Sequence, residues 1–76
     1  MTPAAGLPIG TGIELDPTTR QIGADLLIGG VPRRVLRLGA AGVEALTELR
    51  LGTVRTRNGA ALARRLTDAG LAHPRP

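Results

Sequence analysis

Along residues 12–16, GIELD, apolar Ile13 and Leu15 alternate with acidic Glu14 and Asp16, the period of a half-buried strand. Asp16-Pro17-Thr18-Thr19 then has the chemistry of a type I turn, with Asp at the first position and a proline presetting φ at the second. RQIGADLLIGG, residues 20–30, reads as a returning strand bent at Gly23-Ala24-Asp25 or as two short pieces, and an antiparallel meander is predicted. Gly29-Gly30 supplies a turn open to positive φ, and PRRVLRL, residues 32–38, supplies the third strand. Its alternation sends Leu36 and Leu38 inward and Arg33, Val35 and Arg37 outward. Pro32 lacks an N–H, which suits a strand entrance or an edge.

Helical spacing takes over after Gly39, which stands at the N-cap position. Between residues 41 and 50, Val43, Leu46 and Leu49 make one apolar stripe, with Glu44, Thr47 and Glu48 on the wet side and Gly52 as the stop. TVRTR, residues 53–57, has no helical period, and no helix is predicted there. Asn58 is the predicted cap of a second helix that buries Leu62, Leu66 and Ala69, ends at Gly70, and lets Leu71 fold back on its last turn. AHPRP, residues 72–76, cannot continue a helix and reads as the start of a linker. Residues 1–11, all Pro, Gly, Ala, Thr and isolated aliphatics without period, read as a flexible lead-in. The predicted domain spans residues 12–71 and is α+β: a three-stranded antiparallel meander followed by two or three helices.

Composition narrows what such a domain can be. With 76 residues there is room for one small core, burying roughly 60% of the surface the unfolded chain exposes. Phe, Trp, Tyr and Cys are absent, so the core is aliphatic, and thiolate metal sites, disulfides and cysteine nucleophiles are excluded. All ten basic residues are arginine, and against six acids they leave a net charge of +4. That charge favours acidic partners, but without aromatic rings the stacking platforms of single-strand nucleic-acid binders are missing, and nucleic acid is not the favoured partner. No apolar run reaches the roughly 18 residues of a membrane span, and the N-terminus lacks the basic start and apolar block of a signal peptide. The expected location is the cytoplasm.

Catalytic chemistry finds little to build on. His73 is the one histidine and stands next to Pro74 in the expected linker, so neither a triad nor a zinc cluster assembles around it. Gly10 and Gly12 begin a G-x-G whose third glycine is replaced by Leu15, and no phosphate loop exists. Glu44 and Glu48 are a repelling i, i+4 pair on a solvated face. No metal site and no cofactor are predicted. The arginines offer more. Arg64 and Arg65 face outward on the last helix, with Asp68 one turn beyond Arg64. With that helix beside the third strand, a groove would form between Val35 and Arg37 on one wall and Ala61, Arg64 and Arg65 on the other. An extended peptide could enter it as an added strand, and a homodimer could form by the same edge-to-edge pairing.

Two stretches, LLIGGVPRRVLRLGAAG (residues 26–42) and GAALARRLTDAGLAHPRP (residues 59–76), carry a family resemblance. A strand meander followed by helices resembles the PqqD-like domains, the precursor-peptide recognition elements of ribosomally made and modified peptides. Within that group the two stretches are similar to the N-terminal region of the mycofactocin-system glycosyltransferases, over about residues 12–76. The resemblance implies a winged helix-turn-helix-like fold that binds a leader peptide between the third strand and the last helix. Carried onto this chain, the peptide-binding residues would be Arg34, Val35, Leu36, Arg37 and Leu38 with Ala61, Arg64, Arg65 and Asp68. The middle helix of such domains has no counterpart in the pattern of residues 51–57, and Gly39 stands where a capping Ser is usual. The implied partners are a precursor peptide or another protein of the mycofactocin pathway, and the chain's own glycosyltransferase domain, which would transfer sugars to premycofactocin. The chain itself, without an acidic metal-and-nucleotide motif, is expected to be noncatalytic. The rival readings are a winged-helix nucleic-acid binder using Arg64 and Arg65, and a structural subdomain with no ligand.

Overall fold

A computed structural model describes residues 7–30 and 32–75. The chain forms β1 (Gly12–Leu15), β2 (Arg20–Ile22), β3 (Leu26–Gly29), β4 (Arg34–Arg37), α1 (Ala40–Arg50), α2 (Arg57–Asp68) and β5 (Ala72–Arg75). β2, β3 and β4 make a three-stranded antiparallel sheet in that order, while β1 pairs antiparallel with β5 in a second sheet. The α+β class and the meander followed by two helices are as expected, and the described backbone of residues 51–56 contains no helix.

The meander is built from different strands than the pattern indicated. Gly23, at φ +64, turns the chain between Ile22 and Leu26, so residues 20–29 split into two hairpin strands. That leaves β1 outside the meander. Its partner is the segment read as a linker: Leu15 pairs with Ala72, Glu14 with His73 and Ile13 with Pro74. Residues preceding a proline are driven toward extended backbone, which is the conformation a strand requires. Pro74 costs no ladder bond, because Ile13 sends its own N–H the other way, to Gly52 O at 2.9 Å, so the pair occupies a non-hydrogen-bonded register. Ala72 is fully buried, and the domain therefore runs beyond residue 71.

The lead-in is also tied down where it is described. Leu7 N–H donates to Ala60 O (3.1 Å), Gly10 N–H to Val54 O (2.8 Å), and Val54 N–H to Thr11 O (2.8 Å). The expected flexibility of residues 1–6 lies outside the described residues.

The core is wholly aliphatic: Ile13, Leu27, Leu38, Leu46, Leu49, Val54, Leu62, Leu66 and Leu71, filled in by Ala45, Ala60, Ala63 and Ala72. Val43, Leu36 and Ala69 pack at its margin. Gly70, at φ +76, ends α2, and Leu71 N–H returns to Leu66 O at 2.8 Å, the fold-back expected of an αL stop.

The start of α2 differs from expectation. Its cap is Thr56, whose hydroxyl accepts from Gly59 N–H at 3.0 Å, and Asn58 lies inside the first turn. Thr56 wins because Glu48 of α1 holds it. One carboxylate oxygen accepts from the N–H groups of Arg55 (2.7 Å) and Thr56 (2.9 Å), and the other from the Thr56 hydroxyl (2.5 Å). Burial opposes ionisation of Glu48, but the Thr56 hydroxyl, the two N–H groups and the nearby Arg55 charge outweigh it and hold the carboxyl below its ordinary value. A Cβ on Gly59 would collide with this same carboxylate.

Two stability measurements check the clamp. Thr56→Ala should cost about 1 kcal/mol in denaturant unfolding, the usual worth of such a cap. Gly59→Ala should destabilise the chain strongly when Glu48 is present and much less in a Glu48→Ala background; strictly additive losses in that double-mutant cycle would show the collision to be unimportant.

Candidate functional site

β4 is an edge strand. It is bonded to β3 on one side, and no strand among the described residues lies on the other. Leu38 N–H donates to Asp25 O at 2.7 Å, which fixes the alternation of the antiparallel ladder, since residues opposite one another exchange both bonds or neither. Residues 25 and 38, 27 and 36, and 29 and 34 are therefore the bonded pairs. Val35 and Arg37 turn their N–H and C=O groups away from β3, along the free edge.

The side chains sort by face. Leu27 and Leu36 stand opposite each other on the core side, and Leu38, 3% exposed, is part of the core itself. Arg33, Arg34, Val35 and Arg37 are exposed, Val35 by 60%. Among the described residues no carboxylate pairs with any of these three arginines.

The α2 residues are arranged differently. Arg64 Nε donates to Asp68 Oδ2 at 3.3 Å, an exposed i, i+4 ion pair worth a few tenths of a kcal/mol. Ala61 and Arg65 line a shallow depression with Ala41, Gly42, Asn58 and Leu62, between α2 and the start of α1. α2 packs chiefly on α1 and β5, and β4 chiefly on β3. The β4 residues thus share one strand and the α2 residues one helix face, without β4 and α2 packing directly together.

The chain is 45% identical over 74 residues to pre-mycofactocin glycosyltransferases from Mycobacterium tuberculosis strains CDC 1551 / Oshkosh and H37Rv. The match covers 96% of this chain and 16% of each relative, so the chain spans about a sixth of their length. No family model matches the chain, and no solved structure matches it.

The one compact group of polar side chains near a histidine lies at the other sheet. His73 Nε2 is 2.6 Å from Asp16 Oδ1, and the second carboxylate oxygen accepts from the Thr18 N–H (2.9 Å) and the Thr18 hydroxyl. The carboxylate sits between hydroxyl and imidazole, so the imidazole does not reach the hydroxyl, and the order needed to activate a nucleophile is reversed. Sequence reasoning missed the group because it placed His73 in a linker. What the group does is join the β1 turn to β5, assisted by Thr19 Oγ1, which donates to Leu71 O at 2.8 Å, and by Asp16 N–H to the same carbonyl, also 2.8 Å. Among the described residues no three His, Cys, Asp or Glu side chains converge as a metal site, and no helix is long and apolar enough to cross a membrane.

The hydrogen bond from the Thr18 hydroxyl, then that with His73, then the Thr18 N–H, push the Asp16 carboxyl down to about 2. A carboxyl depressed on folding from about 3.9 adds stability above the unfolded value, and that stability is lost as pH falls toward the folded one. Thermal unfolding should therefore drop in midpoint between about pH 4 and pH 2, where Glu48 contributes in the same direction. Asp16→Asn should lower the midpoint at neutral pH and flatten the acid slope; a slope unchanged in that variant would contradict the assignment.

Proposed function

We propose that this chain is a noncatalytic peptide-recognition domain that takes an extended segment as an added strand on the free edge of β4. The observation that carries the reading is the pair of outward N–H and C=O sets on Val35 and Arg37, set between exposed arginines that have no carboxylate partner among the described residues. An unpaired edge is costly to leave bare and ready to accept a strand, and β-augmentation satisfies it by main-chain bonds while side-chain pockets confer choice. Arg33, Arg34 and Arg37 would select acidic side chains in the ligand. Leu36 would offer apolar contact on the core side, while Ala61, Arg64, Arg65 and Asp68 of α2, which does not pack on β4, stand apart from this edge.

The similarity to pre-mycofactocin glycosyltransferases supports a link to the mycofactocin pathway, and the ligand in this reading is a precursor peptide, or another protein, of that pathway. In a full-length glycosyltransferase of that kind, the larger remainder would transfer sugars to premycofactocin, and this domain would hold it near its pathway partners.

The test is a ¹⁵N–¹H titration with the pathway's precursor peptide. Shifts should centre on residues 33–38. Val35→Pro removes an outward N–H without touching a β3 bond. It should weaken peptide binding by more than about tenfold while circular dichroism stays unchanged. Equal affinity in a folded Val35→Pro chain would overturn strand addition.

A further inference from the structure

The three-stranded sheet has a second face that nothing in the described chain covers. Register gives its layout. Arg20 stands opposite Ile28 and Ile28 opposite Val35, making one row; Ile22, Leu26 and Arg37 make the next. The row between them, Gln21, Leu27 and Leu36, lies on the opposite face, where Leu27 and Leu36 join the core and Gln21 accepts from Arg50. On the outer face Ile22 is 53% and Val35 60% exposed, with Leu26 and Ile28 half-buried between them. The aliphatic side chains form one diagonal band, and Arg20 and Arg37 occupy the two remaining corners, one on each flank.

We infer that this outer face docks an amphipathic helix of another protein, with an aliphatic stripe bordered on both sides by carboxylates. The proposal is independent of strand addition at the β4 edge. Three strands spaced about 4.8 Å apart present a surface about 10 Å wide, the diameter of a helix. An apolar diagonal seats a single stripe. The guanidinium groups of Arg20 and Arg37, which have no carboxylate partner among the described residues, meet acids on either side of that stripe. A second copy of this chain fits poorly. Two arginines from each copy would enter the interface, and the outer rows carry no carboxylate to meet them. Like charges brought together in an interface disfavour association.

The experiment uses the ¹⁵N-labelled chain and three designed peptides of about 18 residues, five helical turns. The first is a helix with a leucine stripe flanked by glutamates, the second its lysine-flanked twin, and the third a scramble of the first. The acidic helix should shift Arg20, Ile22, Leu26, Ile28, Val35 and Arg37, and the scramble should not. Arg20→Glu combined with Arg37→Glu, and separately Ile22→Ser, should each weaken binding more than about tenfold while leaving thermal unfolding unchanged, since these side chains are exposed. Ile22 lies on β2, two strands from the β4 edge, so Ile22→Ser should leave precursor-peptide binding intact, which separates this face from the edge. Equal binding of the lysine twin, shifts centred elsewhere, or no shifts would overturn the proposal. So would a dimer in sedimentation that Ile22→Ser dissolves, which would assign the face to a second copy.

Discussion

Glu48 ties the end of α1 to the start of α2, and the helix pair so joined carries most of the core. Its carboxylate occupies the space over Gly59 and gathers the Arg55 and Thr56 N–H groups and the Thr56 hydroxyl at the start of α2. A chain without aromatic rings cannot fill a wide gap between elements, because packing at interior density with side chains no larger than leucine needs backbones close together. Ala45 on α1 and Gly59, Ala60 and Ala63 on α2 are the buried small residues that allow this. The clamp sets the geometry at one end, the small residues let the helices close along their length, and Leu46, Leu49, Leu62 and Leu66 fill the space that remains.

The two sheets lean on this helix pair unequally. β1 packs on α1 and β5 packs on α2, so the two-stranded sheet joins the helices, and the turn of residues 16–19 locks it through Leu71 and His73. The meander is attached through one face only, by Leu27, Leu36 and Leu38. Two further contacts hold its ends: Arg50 donates to Gln21 Oε1 at 2.7 Å, and Gly29 lies so close to Thr18 and Thr19 that a Cβ there would strike backbone. One covered face is enough to keep a small sheet in place, and it leaves both an edge and a face of the meander free.

Much of this was legible from spacing. Period-two alternation gave the inward Leu36 and Leu38, period 3.6 gave both helices, and Gly39 and Gly70 marked ends that the backbone respects. What spacing could not supply was long-range pairing. GIELD and AHPR are each consistent with an extended strand, but nothing local says that residues 12 and 75 are partners, and proximity along the chain favoured a meander that included β1. The cap of α2 failed for a related reason. Asn58 and Thr56 are both good capping residues, and the choice was made by Glu48, eight residues upstream of Thr56 on another helix. For the site, sequence located the exposed arginines of β4. The direction of the Val35 and Arg37 amides, and the diagonal formed with Arg20 and Ile22, required the register.

Register also ties the two free surfaces of the meander together. A strand added beside β4 sends alternate side chains to the two faces, so every second residue of it stands in line with Val35 or Arg37 on the outer face. The face would then grow from three columns to four, and the new column would carry whatever the ligand brings. An acidic side chain opposite Arg37 would neutralise one of the two corners that an acidic helix needs; an aliphatic one opposite Val35 would lengthen the apolar diagonal. With both surfaces occupied, edge and face would be coupled with a sign set by ligand sequence, and because linkage between two binding events is reciprocal, an occupant of the face would alter edge affinity by the same factor. The two surfaces meet only at Val35 and Arg37, which belong to both, whereas Arg20 and Ile22 on β2 belong to the face alone.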